Sequence, residues 1–190
     1  MSMKLIVLGI LMEGQKHPYD MQQIMVKRNM SRYIKLQKGS LYYAVEQLTK
    51  NGLTEVVDVV KDGSHPYKTI YRITEAGVEE FHKLLLEQFL NHDKVYNPLH
   101  AGLAFVYHGN QSRIAEMLEN RIEKLESNLV LMQKEYANMV PFVPRSALYI
   151  IVSAIEHGKT ELKLLCNLLD DARNNRLGES GQLFTLGIHE

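Results

Sequence analysis

Between Gln37 and Thr74 the apolar spacing changes from the period of a helix to that of strands, and few folds accommodate such a switch in so short a span. In QKGSLYYAVEQLTKNGL, the residues Leu41, Ala44, Val45 and Leu48 recur at i, i+3, i+4 and i+7, one stripe of an amphipathic helix. Gly39 and Ser40 offer its start, with Ser40 as N-cap, and Gly52 sits where a C′ glycine ends a helix. The opposite face carries Tyr42, Tyr43, Gln47 and Lys50, with Gln37 and Lys38 just ahead. LTEVVDVV and YKTIYRIT follow, β-branched and aromatic runs of strand type, joined through Asp62-Gly63, a common hairpin turn. A short helix followed by a β-hairpin is the second half of a winged helix-turn-helix.

The segments before and after complete that unit. Met3 to Met12 is apolar nearly all round and needs burial on more than one side; the other domain or a second subunit is the expected source. Glu13 to Lys16 reads as a turn, and a second helix begins at Pro18, in the N1 position that proline favours. Thr74 is the expected N-cap of a helix running to about Leu90, with Glu75 suited to its dipole. The polar stretch NHDKVYNP is the expected domain boundary.

Beyond it a short helix is expected over Leu99 to Tyr107, stopping at Gly109. From Ser112 to about Asn138, the residues Ile114, Leu118, Ile122, Leu125, Leu129, Met132, Tyr136 and Met139 are spaced 4, 4, 3, 4, 3, 4, 3, the 3.5-residue period of a coiled coil. Pro141 and Pro144 end that helix, and another runs from Arg145 to about Ala172 with Leu148, Ile151, Val152, Ile155, Leu162, Leu165 and Leu169 on one face. Two long antiparallel helices have too little core alone, so a second copy is expected against them. The fold class is mainly α with a small β-hairpin wing. Residues 1–90 form the winged helix-turn-helix, 95–173 a helical dimerisation domain, and 174–190 a tail without order.

Composition narrows the function. The 190 residues carry 22 basic and 22 acidic side chains, a net charge of zero that argues against indiscriminate nucleic-acid binding. Their distribution is uneven: Lys27, Arg28, Arg32, Lys35, Lys38 and Lys50 stand against Glu46 alone between Val26 and Lys50. Such a run is either a solvated helix face or the footprint of a DNA-binding surface, and the adjoining helix and hairpin favour the second. The chain lacks a signal-peptide layout and a run long enough for a membrane span, and its single cysteine, Cys166, suits a reducing cytoplasm. Cys166, in an amphipathic helix, reads as a small buried hydrophobe; thiol sensing would need a cationic neighbour, and Lys163 is one turn away. Among eight histidines the loose set His92, His100 and His108, with Asp93, does not have metal-ligand spacing. The chain contains no G-x-S-x-G, P-loop, G-x-G-x-x-G or H-E-x-x-H motif, so neither an enzyme nor a cofactor is expected.

LGILMEGQKHPYDMQQI, KGSLYYAVEQLTKNGL, KTIYRITEAG and the C-terminal helical hairpin together resemble the PadR family of bacterial transcriptional regulators, in the subgroup with a full helical dimerisation domain. The sequence departs at Pro18, where the family commonly has glycine, and at Tyr43, where it often has proline. The resemblance implies a homodimer that binds a pseudo-palindromic double-stranded DNA operator, usually as a repressor, and is released by a small molecule near the junction of the domains.

The expected DNA contacts are Gln37, Lys38, Ser40, Tyr42 and Tyr43 at the first turn of the reading helix, with Lys50 farther along it. Lysine pairs with guanine acceptors, glutamine with adenine, and tyrosine packs on a thymine methyl or a phosphate; one of the tyrosines instead suits the core. In the wing, Lys61, His65 and Lys68 suit phosphate or minor-groove contact, although edge lysines also serve to block strand pairing. For a small aromatic or amphipathic effector the candidates are Phe89, Tyr96, Phe105, Tyr107, Met132 and Tyr136, residue types that equally suit plain core. The alternatives of another class are a winged-helix protein-interaction adaptor without DNA binding, and a metal- or thiol-responsive regulator.

Overall fold

The computed structural model describes residues 3–32, 34, 38–60, 68–90 and 97–181, with the side chains of Arg32, Lys38 and Val60 excepted, and divides into two compact units, Met1–Lys94 and Val95–Glu190. In the first, α1 (Met3–Leu11), α2 (Pro18–Lys27), a 3-10 turn (Met30–Arg32) and α3 (Lys38–Lys50) precede β1 (Thr54–Val60), β2 (Lys68–Ile73) and α4 (Glu75–Leu90). Much of the apolar surface of α1 is covered inside this unit. Val7, Leu8, Ile10 and Leu11 are buried with Met21 and Met25 of α2 and Leu41, Ala44, Val45 and Leu48 of α3, while Phe81 and Leu84 of α4 and Ile73 of β2 close the other sides.

The structure places the start of α3 at Lys38, ahead of the expected Gly39–Ser40 start, so Ser40 lies within the first turn and is not the N-cap. Its end is as expected. Gly52 has φ +72°, its N–H donates to Thr49 O at 3.0 Å, and Leu53 N–H donates to Leu48 O at 2.9 Å. This pair of bonds is a Schellman motif, and Leu53 packs on the same core as Leu48. The next residue, Thr54, is the buried polar side chain of the unit among the described residues. Its hydroxyl is 2.8 Å from that of Thr49, which donates to Val45 O at 2.9 Å, so the Thr54 proton completes the chain.

The strands β1 and β2 pair antiparallel from Thr54↔Ile73 to Val60↔Lys68, with a bulge between Val56 and Asp58. Lys16, expected in a plain turn, exchanges both backbone hydrogen bonds with Tyr71 at 3.0 Å, which gives β2 a partner on its other edge. The Asp62-Gly63 turn lies outside the described residues. Thr74 caps α4 as expected: its Oγ1 accepts from Gly77 N–H at 3.1 Å and donates to Gly52 O at 2.7 Å.

Glu13 and Arg28 tie the start of the α1–α2 connection to the end of α2 through two bonds of 2.7 and 2.6 Å. The Arg28 hydrogen bond holds the Glu13 carboxyl below its usual 4.5. The resulting stabilisation is fully present above that usual value and is lost as pH falls through the depressed one. Both side chains are 46% exposed, so the pair contributes less than about 1 kcal/mol. Glu13→Gln is therefore expected to lower the melting temperature slightly at neutral pH and to leave it unchanged in acid, which flattens the acid limb; an identical profile contradicts this assignment.

In the second unit, Asn97 caps α5 (Pro98–Leu103), accepting from Leu99 N–H at 3.0 Å. The single helix expected to Tyr107 is instead broken at Ala104–Phe105 and resumes as a 3-10 turn, Val106–His108. Asn110 caps α6 (Gln111–Met139) through Arg113 N–H at 3.1 Å, and α7 (Arg145–Arg173) returns along it. The heptad stripe faces inward: Leu118, Leu129, Ile151, Ile155 and Leu165 are buried. Gly158 marks the close approach of the helices, since a Cβ there would lie 2.8 Å from Leu129 Cδ2. Arg121 pairs with Glu161, and Arg173 with Glu119 at 2.8 Å, across the helices. Beyond α7, Leu177 packs against Ala115, Leu118, Leu165 and Ala172, and Arg176 pairs with Asp171 at 2.9 Å; residues 182–190 lie outside the described part. Among the described residues no helix is long and apolar enough to cross a membrane.

Candidate nucleic-acid interface

Burial of Leu41, Ala44, Val45 and Leu48 fixes which side of α3 looks outward. That side presents Gly39, Tyr42, Tyr43, Glu46 and Lys50, all exposed. Tyr42 is 47% and Tyr43 64% exposed, so neither is the core residue that one of them might have been on spacing alone. No described residue lies within 4 Å of a Cβ built on Gly39, so among the described residues the backbone of the first turn is open to close approach. Ser40 is half-buried in that turn, and Lys38 is the first residue of the helix.

The remaining expected contacts divide. Lys50 is exposed at the opposite end of α3, about 18 Å from Lys38 at 1.5 Å per residue, so the two cannot address the same base step. Lys68 opens β2, half-buried and paired with Val60. Gln37, Lys61 and His65 lie outside the described residues, as does the side chain of Lys38.

Electrostatics amends the basic run in two ways. Arg28 is matched by Glu13, an acid outside the run, so its charge is locally compensated. Glu46 stands on the outward face of α3 between Tyr43 and Lys50. Its carboxylate is a group that sequence reading passed over as a lone acid. Carboxylates repel phosphate and accept from the cytosine amino group. Burial, and then the charge of Glu46, raise the Tyr71 phenol above its usual 10.0.

The four effector candidates described in the second unit fall into two separate pairs. Phe89, 82% exposed, ends α4 in the first unit, and Tyr96 lies outside the described residues. Phe105 and Tyr107 are exposed ahead of α6, whereas Met132 and Tyr136 pack near its other end on Leu129, Ile151 and Ile155. From Gln111 to Met132 the helix rises about 30 Å, so a single pocket within this unit cannot use both sets. Tyr136 borders a small cleft of about 190 Å³ with Arg145, Leu148, Tyr149 and Val152. A larger open groove, about 540 Å³, runs beside the start of α6 and is lined by none of the six candidates.

Cys166, expected to be buried, is exposed on α7. It follows Leu165 by one residue, and the inward stripe passes through Leu162, Leu165 and Leu169 instead. Among the described residues no three His, Cys, Asp or Glu side chains gather as metal ligands.

Residues 7–83, from α1 well into α4, match the model of the transcriptional regulator PadR-like family. The chain is similar in fold to Bacillus subtilis PadR solved with operator DNA: TM-score 0.74, 17% identity, 89% of this chain and 98% of that one covered. The same TM-score and identity relate it to that protein solved with p-coumaric acid, over 90% and 98% of the two chains. The Vibrio cholerae virulence activator AphA is similar at TM-score 0.69 and 15% identity, over 92% and 99%. No curated protein matches the chain.

Proposed function

We propose that this chain is a PadR-like transcriptional regulator, a reading supported by the match of residues 7–83, and that it works as a homodimer that reads a pseudo-palindromic operator with α3 and is released by a small molecule. The observation that carries the reading is the outward face of α3, where Tyr42 and Tyr43 stand exposed beside an unobstructed first turn within the matched segment. In this reading Gln37, Lys38, Ser40, Tyr42 and Tyr43 enter the major groove, Lys50 meets backbone, and Lys61, His65 and Lys68 of the wing hold phosphate or the minor groove.

Dimerisation falls to the second unit. Val130 (65% exposed), Leu131 (59%), Tyr149 (63%) and Phe142 (85%) are large apolar side chains left on the outside of α6, α7 and their connection, and a second copy would cover them. The two reading helices then address half-sites about 34 Å apart. An effector that prefers another spacing shifts the population by its differential affinity. Repression is the proposed sense and the cytoplasm the proposed location. The B. subtilis protein solved with p-coumaric acid supports an effector-responsive reading, and AphA, an activator, has the same fold with the other sense.

Zero net charge and the compensation of Arg28 favour a second reading, an adaptor that keeps the winged fold without binding DNA. Alanine variants separate the two. Lys38→Ala and Tyr42→Ala are expected to erase preference for the operator over random duplex, each costing about 1–3 kcal/mol of discrimination. Lys68→Ala is expected to weaken all duplexes alike and to reduce the salt slope by about 1. An adaptor shows no salt-dependent duplex binding with any of these proteins, and normal operator binding by Lys38→Ala overturns the assignment of α3.

A further inference from the structure

We infer that Glu46 is a base-reading residue that selects a C·G pair in each half-site, an inference that rests on the reading above in which α3 enters the operator. Its placement carries the argument. Burial of Leu41, Ala44, Val45 and Leu48 turns Gly39, Tyr42, Tyr43 and Glu46 outward together, at i, i+3, i+4 and i+7. The base-contacting side chains of a homeodomain recognition helix follow the same spacing over two turns. Glu46 lies about 12 Å along the axis from Lys38, the first residue of α3, and Lys50, proposed above to meet backbone, follows a turn later.

The base follows from the chemistry of the side chain. An ionised carboxylate only accepts hydrogen bonds. The major groove offers it two base donors, the amino groups of cytosine and adenine. The adenine amino group stands beside N7, an acceptor on the same edge, and two acceptors repel. Cytosine has a C–H in the corresponding place, so its amino group is the donor a carboxylate can approach. Guanine and thymine present acceptors and exclude it. Glutamine, which donates as well as accepts, matches the N6 and N7 pair of adenine instead. Phosphate repels the carboxylate on every duplex alike, so any favourable contact of Glu46 with DNA depends on the base it meets.

The competing role for Glu46 is local. It precedes Lys50 by four residues, the orientation in which glutamate and lysine support an exposed helix. That role is blind to DNA sequence, and its loss acts on all duplexes equally. Preference at a single position of the half-site separates the two roles.

The test presents full-length wild type, Glu46→Gln, Glu46→Ala and Lys38→Ala with a library of random double-stranded DNA and sequences what each retains, with thermal unfolding as the check on folding. Wild type is expected to enrich an inverted repeat in which one C·G pair of each half-site is preferred about tenfold over the other pairs. Glu46→Gln is expected to move that position to A·T, and Glu46→Ala to leave it with less than about twofold preference, the rest of the repeat unchanged. Competition between duplexes that differ only at that pair measures the change. The inference is overturned if the position that answers to Glu46 holds a base other than cytosine in wild type. It is overturned equally if Glu46→Ala loses every position together while melting as wild type does. Lys38→Ala keeps the two readings apart. A wild-type repeat that is lost in Lys38→Ala and identical in both Glu46 variants leaves operator reading by α3 standing and defeats the cytosine contact. A wild type that enriches no sequence defeats both.

Discussion

Gly77→Ala is expected to destabilise the winged unit by about 3 kcal/mol, although alanine is by itself the better helix former by about 1 kcal/mol. A Cβ at Gly77 would lie 2.0 Å from Leu53 O and 2.7 Å from Ile73 Cγ1. The Leu53 carbonyl has no freedom to retreat, because it accepts from Thr74 N–H at 3.1 Å and follows directly on the Schellman turn of α3. One methyl group therefore pushes at once on the end of α3, the pairing of β1 with β2 and the cap of α4. Chemical denaturation of wild type and variant measures the difference as a shift of midpoint at unchanged slope. A variant as stable as wild type, or more so, contradicts the junction as described, and the helix propensity of alanine makes that sign informative.

Leu165→Ala is expected to cost the helical unit about 2–5 kcal/mol, because Leu165 is fully buried and α6 and α7 cannot collapse around the space it leaves. It packs with Ala115, Leu118 and Ala172, with Leu169 and Leu177 at the border, so the loss falls on the end of the hairpin where α6 begins and α7 ends. Thermal unfolding reads the stability directly. If the helical unit also carries dimerisation, the variant loses affinity for an operator with both half-sites far more than for a single half-site. Equal losses on the two duplexes contradict that role, and an unshifted melting temperature contradicts the packing.

The parts of the fold that were legible in the sequence are those fixed by local spacing. The stripe of Leu41, Ala44, Val45 and Leu48 with Gly52 behind it specifies α3 and its end, and the 3.5-residue spacing of Ile114 to Met139 specifies the inner face of α6. What local spacing left out depends on partners distant in sequence. Nothing near Met3–Leu11 tells that Phe81 and Ile73 cover its outer sides, and nothing near Lys16 tells of its bridge to Tyr71. Cys166 was misjudged because it follows Leu162 by four residues, while the inward stripe turns through Leu165.

The candidate site divides along the same line. Exposure of Tyr42 and Tyr43 follows from the burial of the opposite stripe, so the face of α3 was readable. The compensation of Arg28 by Glu13 was not, because it joins residues at opposite ends of the segment containing α2. The effector candidates rest on residue type and on nearness to the expected domain junction, and a groove is made by the space between side chains. Two glycines mark the opposite, places where elements meet too closely for a side chain. Gly158 interrupts an otherwise bulky inward stripe where α7 meets Leu129, and Gly77 stands at the strand-to-helix junction where only hydrogen fits.

The central claim, that α3 reads an operator as part of a dimer, is tested most directly by binding purified protein to fragmented DNA of the organism that encodes it. Retained fragments are sequenced at about 0.15 M salt. The account predicts enrichment of an inverted repeat whose half-sites lie one duplex turn, about 34 Å, or a multiple of it apart, with the enrichment lost in Lys38→Ala. Retention that is indifferent to sequence and vanishes as salt rises would contradict it, leaving the winged helix a surface for protein partners.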